Sequence, residues 1–108
     1  MKEKIVKGSG NVFKDLGLED ADRLFTRSEI MIRIVKILKE RRLTQRQAGK
    51  ILNLPQSKVS ALMNGRLNLF SMDYLLKMLN LLDRDVEIII KPKSKSRKVA
   101  TTSVFPVF

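Results

Sequence analysis

Apolar residues recur at helical spacing in two long parts of the chain. From residue 24 to residue 38 they form two neighbouring stripes, Leu24, Met31, Val35 and Leu38 on one and Ile30, Ile34 and Ile37 on the other. Two adjacent stripes predict a helix that is buried over a wide arc. A last helix is predicted after Ser71, a favourable N-cap, because apolar residues repeat again at Met72, Leu75, Leu76, Leu79 and Leu82.

Between these segments, residues 43–65 predict two short helices joined by a tight turn. Thr44 and Gln47 have the spacing of a capping box, which begins the first helix. Other cap and turn residues mark the remaining boundaries, namely Asn53 in the turn, Pro55 at the start of the second helix and Asn64-Gly65 at its end. Apolar residues for a core shared by the two helices are Leu52, Leu54, Val59 and Leu62.

The spacing of apolar residues changes after the last helix. Val86, Ile88 and Ile90 belong to a short β-branched run, and residues 86–91 are predicted to form a strand. A lone strand leaves its backbone groups unpaired, so it needs a partner. The partner is either the same strand of a second copy, antiparallel across a two-fold axis, or Lys4–Lys7 of the same chain. Pairing between copies is favoured because the sequence contains no second convincing strand.

The flanks complete the predicted organisation. Residues 1–18 form an N-terminal arm, residues 19–92 the folded domain with its C-terminal strand, and residues 93–108 a basic tail that is expected to be disordered. A chain of 108 residues with 44% hydrophobic residues suits one domain with a real core. With no signal sequence and no apolar run of membrane-spanning length, we expect a soluble cytoplasmic protein.

Composition excludes several kinds of chemistry. The chain has no cysteine and no histidine, so thiolate or imidazole metal sites, Cys–His nucleophiles and Ser–His triads are ruled out. The remaining residues offer no candidate pair of a general acid and a general base that could share an active-site cleft. We therefore predict no enzyme activity, no catalytic residue, no metal, no cofactor and no small-molecule substrate.

The distribution of charge points to a polyanionic partner. The formal net charge is +11, and no acidic residue occurs between Arg41 and Met72, whereas six basic ones do: Arg41, Arg42, Arg46, Lys50, Lys58 and Arg66. A second block without acidic residues contains Lys91, Lys93, Lys95, Arg97 and Lys98. Basic clusters of this kind attract phosphate backbones by releasing counterions. Because the first cluster surrounds the two short helices, it favours nucleic acid over a merely soluble surface.

The outward face of the second short helix has the character of a DNA-contacting surface. Val59, Leu62 and Met63 are predicted to face the core. Short polar side chains and one methyl group are left outside or at the edge, namely Gln56, Ser57, Ser60, Ala61 and Asn64. Side chains of this size can enter a major groove and meet the edges of the bases.

Residues 43–65 resemble the helix-turn-helix of the lambda-repressor-like (Xre) family, from the Thr-Gln start to the closing Asn-Gly. Two departures are Asn53, where the family often has glycine, and Gly49, where alanine is common and glycine should loosen the helix. The resemblance implies an all-α bundle of about five helices, followed here by the strand. It also implies base contacts from Gln56, Ser57, Ser60 and Ala61, and phosphate contacts from Gln45, Lys58, Asn64 and Arg66. Gln45 would in addition buttress Gln56.

The segments on either side, residues 8–18 and 81–92, resemble HigA-like antitoxins of type II toxin–antitoxin pairs. That resemblance implies a dimer that binds a palindromic operator, represses its own operon and neutralises a partner RNase toxin. Apolar arm residues Val12, Phe13 and Leu16 would then dock either on the toxin or on the protein's own helices. The alternative is a stand-alone Xre-type regulator with no toxin partner.

Overall fold

The computed structural model describes residues 20–105, and this part of the chain contains four α-helices. They are α1 (Ala21–Glu40), α2 (Gln45–Leu52), α3 (Gln56–Met63) and α4 (Met72–Leu81), with a short 3₁₀-helix at Leu67–Leu69 between α3 and α4. The chain divides into two compact units, Arg27–Ile89 and Met1–Thr26 with Ile90–Phe108. The first unit holds α2, α3, α4 and most of α1.

The core of Arg27–Ile89 is built on the apolar stripes of α1. Their central residues are buried as predicted, namely Ile30, Met31, Ile34, Ile37 and Leu38, whereas Val35 at the edge is half-buried. Leu52, Val59, Leu62 and Leu75 from the following helices are also buried, and each is at most 2% exposed. Full burial of one such side chain stabilises the fold by about 1.5–3 kcal/mol, so this shared core holds the short helices in place.

The predicted caps of α2 are confirmed. The backbone N–H of Gln47 donates to Thr44 Oγ1 at 3.1 Å, and the backbone N–H of Thr44 donates to Gln47 Oε1 at 2.9 Å. At the other end, Asn53 adopts the left-handed conformation with φ 57° and ψ 49°. Asparagine accepts this backbone more readily than most residues do. The sequence therefore determines both ends of α2 locally.

The path from α3 to α4 is also governed by local signals. Gly65 has φ +70° just after α3, as its predicted role in the left-handed cap requires. Ser71 caps α4, since its Oγ accepts the backbone N–H of Tyr74 at 3.1 Å. Phe70 precedes this cap and is 1% exposed, and Leu75 four residues after the cap is fully buried. These two positions correspond to a hydrophobic staple, which was not among the sequence-based predictions.

The all-α prediction is confirmed for residues 20–105, but the expected five helices and C-terminal strand are not found there. Residues 84–94 form no strand. The physical reason is the one that made the prediction conditional: a strand needs a partner. Within the described chain, no backbone hydrogen bond joins residues 85–91 to another segment. The alternative partner, Lys4–Lys7, lies outside the described residues.

The described part of the other unit consists of residues 20–26 and 90–105. Residues 90–105 carry no helix or strand, but they include a turn at residues 95–96. The hydroxyl of Thr26 in α1 is buried and donates to the carbonyl of Thr102 at 3.2 Å. No helix of the described residues has the length and apolar character needed to cross a membrane.

Candidate nucleic-acid interface

The end of α2 and the turn that leads into α3 approach each other closely at Gly49. The carbonyl of Gly49 accepts the backbone N–H groups of Asn53 and Leu54, the latter at 2.8 Å. A Cβ added to Gly49 would lie only 2.7 Å from the carbonyl oxygen of Leu54. Real Cβ atoms essentially never come this close to another heavy atom. The absence of a side chain therefore allows α2 to pack directly against the turn that leads into α3.

This packing brings two exposed amide side chains together. Gln45 is the first residue of α2 and Gln56 is the first residue of α3. Gln56 Nε2 donates to Gln45 Oε1 across 3.5 Å, at the long end of the hydrogen-bond range. The buttressing contact implied by the resemblance is thus present in the geometry. Gln56 keeps its Oε1 acceptor and a second N–H donor for a base edge.

Three further polar residues lie along the same exposed side of α3. Ser57 is exposed, and Ser60 is half-buried one turn further on. Asn64, just after the helix, donates from Nδ2 to Ser60 Oγ at 3.4 Å. Gln56, Ser57, Ser60 and Asn64 therefore form one continuous polar strip, as expected from their spacing.

Ala61 was predicted to lie outside or at the edge of the outward face, and the structure places it at the inner limit of that edge. It is buried, with 9% of its surface exposed. The chain turns back at the end of α3, and the backbone N–H of Arg66 donates to the carbonyl of Ala61 at 3.0 Å. The structure therefore places Ala61 at the margin of the core, where its methyl group has little surface to offer a thymine.

The two basic side chains predicted to contact phosphates differ in their exposure to solvent. Arg66 is exposed in the turn before the 3₁₀-helix. Lys58 is half-buried, and its Nζ lies 5.7 Å from the centre of the Phe70 ring. At this distance the ammonium is attracted to the ring face, which holds the side chain against the protein. Arg66 is accordingly the better placed of the two.

One of the six basic residues between positions 41 and 72 forms a hydrogen bond within the fold. Arg41 Nη2 donates to the carbonyl of Leu82, the C-cap of α4, at 2.6 Å. The sequence identified Arg41 only as one of the basic residues between positions 41 and 72. Its actual partner is 41 residues away, so no local signal identifies it. A second such contact runs from Arg27 Nη2 to the carbonyl of Leu67 at 3.2 Å.

An open cleft lies beside the paired amides, between α2 and the start of α3. Its lining includes Arg46, Lys50 and Asn53, together with Gln45 and Gln56. Arg46, Lys50 and Arg42 are exposed, and no acidic residue lies in the whole of residues 41–72. The polar strip on α3 is therefore flanked by uncompensated positive charge, which suits the phosphates on either side of a groove.

The remaining predicted sites are the arm residues and the apolar run after α4. Val12, Phe13 and Leu16 lie outside the described residues. Val86, Ile88 and Ile90 follow α4 and are 36%, 74% and 92% exposed. Large β-branched side chains with this exposure form an apolar surface that the described chain does not cover.

Comparison with known proteins agrees with this geometry. A family model described as a helix-turn-helix domain matches residues 12–91. A solved structure named "Putative XRE Family Transcriptional Regulator" is 39% identical, with a TM-score of 0.78. The match covers 82% of this chain and 99% of the other. No match was found among curated proteins.

Proposed function

Since the chain belongs to the XRE family of helix-turn-helix proteins, we propose that it regulates transcription as a sequence-specific repressor whose α3 lies in the major groove. The family makes it a DNA-binding transcriptional regulator. The finer proposal concerns which residues determine the sequence that is bound. It rests mainly on the paired amides of Gln45 and Gln56 at the exposed start of α3.

The paired amides suit an adenine. A glutamine side chain bonds adenine in a bidentate manner, by accepting from N6 and donating to N7. The contact with Gln45 limits the rotamers of Gln56, which lowers the entropy lost when a base is bound. Ser57 and Ser60 follow along the strip and would meet the neighbouring bases. Gln45, Asn64, Arg66 and, less directly, Lys58 would then contact the backbone.

The experiment first selects the preferred operator from a random duplex library and then compares Gln56→Ala with the unchanged protein. Loss of one bidentate contact costs about 1–3 kcal/mol of discrimination, so operator affinity should fall roughly 5- to 150-fold. Affinity for unrelated duplex should change little, because phosphate contacts supply it. Gln47→Ala is the matched control, since Gln47 serves the α2 cap. Equal losses on operator and unrelated duplex would show that Gln56 does not contact a base.

We further propose that the protein acts as a homodimer paired through residues 86–90. The exposed Ile88 and Ile90 support this, because a second copy would bury their side chains and pair their backbone groups. Two copies related by a two-fold axis would bind half-sites about 34 Å apart, one turn of the duplex. Ile88→Lys with Ile90→Lys should give a monomer in light scattering. Ile32→Lys, at a position that is 57% exposed on α1, is the control. If the double variant remains dimeric, the pairing surface is elsewhere.

The antitoxin role is the second candidate function. It is supported by the resemblance of residues 8–18 and 81–92 to HigA-like antitoxins, which implies an RNase toxin as partner. The decisive observation is the neighbouring reading frame: a small RNase encoded beside this protein should co-purify with it and lose activity in the complex. If no such reading frame exists, the protein is a stand-alone regulator. Its DNA-binding function would stand in either case.

A further inference from the structure

The second basic block lies outside the helix-turn-helix. Residues 91–98, here called the basic segment, contain Lys91, Lys93, Lys95, Arg97 and Lys98. All eight residues are exposed, and no acidic residue occurs after Glu87. Five positive charges within eight residues therefore have no carboxylate among themselves or in the sequence that follows them.

Contacts within its own unit give the basic segment a defined shape. The backbone N–H of Arg97 donates to the carbonyl of Ser94 at 3.2 Å, and Lys93 Nζ donates to the carbonyls of Ser94 and Arg97. Arg97 Nη1 donates to Thr101 Oγ1 at 2.8 Å. Directly beyond it, the carbonyl of Thr102 accepts from the buried hydroxyl of Thr26. The chain just beyond the segment is thus held by a contact with Thr26 in the same unit.

Two of the five cations form hydrogen bonds that maintain the turn, and the other three do not. Lys93 and Arg97 bond within the segment, whereas Lys91, Lys95 and Lys98 form no hydrogen bond or ion pair with any residue of the described chain. A turn that is already ordered loses less conformational entropy when it binds a ligand. The arrangement presents three lysines to a polyanion without the cost of ordering a free tail.

We propose that the basic segment is a second DNA-binding site, which contacts duplex phosphates without regard to base sequence. This proposal rests on the DNA-binding function of the helix-turn-helix. Because the segment is covalently joined to that domain, its effective concentration near a bound duplex is high. Its contacts raise the affinity for every duplex, while discrimination between sequences stays with α3.

The test compares the salt dependence of duplex binding in three full-length proteins. The first protein is unchanged. The second, called the tail variant, carries Lys91→Gln, Lys95→Gln and Lys98→Gln. The third, called the control variant, carries Lys36→Gln, Lys39→Gln and Lys77→Gln. The third set is exposed on α1 and α4 and lowers the net charge by the same amount. Each phosphate contact contributes about 0.9 to the slope of log affinity against log salt. We expect the tail variant to reduce the slope by about 2–2.7, and the control variant to reduce it by less than about 1.

The ratio of operator affinity to unrelated-duplex affinity distinguishes this proposal from that for α3. The tail variant should keep the ratio and lose slope, whereas Gln56→Ala should keep the slope and lose the ratio. An unchanged slope in the tail variant, or an equal loss in the control, would overturn the second site while leaving the role of α3 intact. Binding of the unchanged protein to phosphatidylserine vesicles that is lost in the tail variant, with an unchanged duplex slope, would instead assign the segment to a membrane surface.

Discussion

Replacing Gly49 by alanine tests whether tertiary contact overrides helix propensity in α2. Considered alone, α2 should become more stable, because alanine is favoured over glycine in a helix interior by about 0.8–1 kcal/mol. The structure predicts the opposite sign. The new Cβ would lie 2.7 Å from the carbonyl oxygen of Leu54, which is backbone and cannot swing away like the end of a flexible side chain.

The magnitude follows from how the overlap can be relieved. Moving the turn away from α2 would lengthen the 2.8 Å hydrogen bond from Leu54 N–H to the Gly49 carbonyl. It would also disturb Val59, which is fully buried and whose Cγ2 lies 3.5 Å from the added Cβ. Overpacking of this kind costs about 1–3 kcal/mol. Subtracting the gain in propensity leaves a net loss of about 0–2 kcal/mol in the free energy of unfolding, and we expect a value near the middle of that range, about 1 kcal/mol.

Urea denaturation followed by far-UV circular dichroism measures this loss, with Lys50→Ala as the matched control. Lys50 is the next residue of α2 and is exposed, so its substitution should change the stability by less than about 0.5 kcal/mol. Operator affinity gives a second readout, because a shifted turn would separate Gln56 from Gln45. If Gly49→Ala were as stable as the parent or more stable, the close approach would not limit packing and the reasoning would be refuted.

Substitutions at three other residues test contacts elsewhere in the fold. Arg41→Ala should lower the stability by about 1 kcal/mol because the C-cap carbonyl of α4 loses a charged donor, while the same change at exposed Arg42 provides the comparison in thermal melts. Thr44→Ala should cost about 1 kcal/mol and Thr44→Ser much less, since serine keeps the capping hydroxyl; equal losses in urea titrations would contradict the cap. Asn53→Gly should be tolerated and Asn53→Val should be destabilising by about 1 kcal/mol or more, since φ is 57° there; similar unfolding midpoints for the two variants would argue against a left-handed turn.

Most features that depend on a local signal were predicted from the sequence. The capping box at Thr44, the left-handed turn at Asn53 and the cap at Ser71 each involve residues within a few positions of one another. The stripes of α1 were also predictable, because amphipathic periodicity is a property of the helix itself. The candidate interface followed from the same kind of signal, since residues on one side of α3 share a face by spacing alone.

Predictions that depended on a distant partner were less successful. The strand at residues 86–91 was expected from β-branched composition, yet composition does not supply a partner, and the described chain provides none. The contact between Arg41 and Leu82 joins two helix ends that the sequence alone cannot place together.

The sequence by itself determined the family, the helix boundaries in residues 43–65 and the acid-free character of the surface around them. These properties follow from short-range geometry and from charge, which do not depend on how the helices pack. Only the tertiary structure decided that Gly49 is required for the close approach of α2 to the turn, and that Arg41 serves the end of α4. Both are decided by distances between backbone segments that pack together only in the folded chain, and no residue spacing specifies such distances.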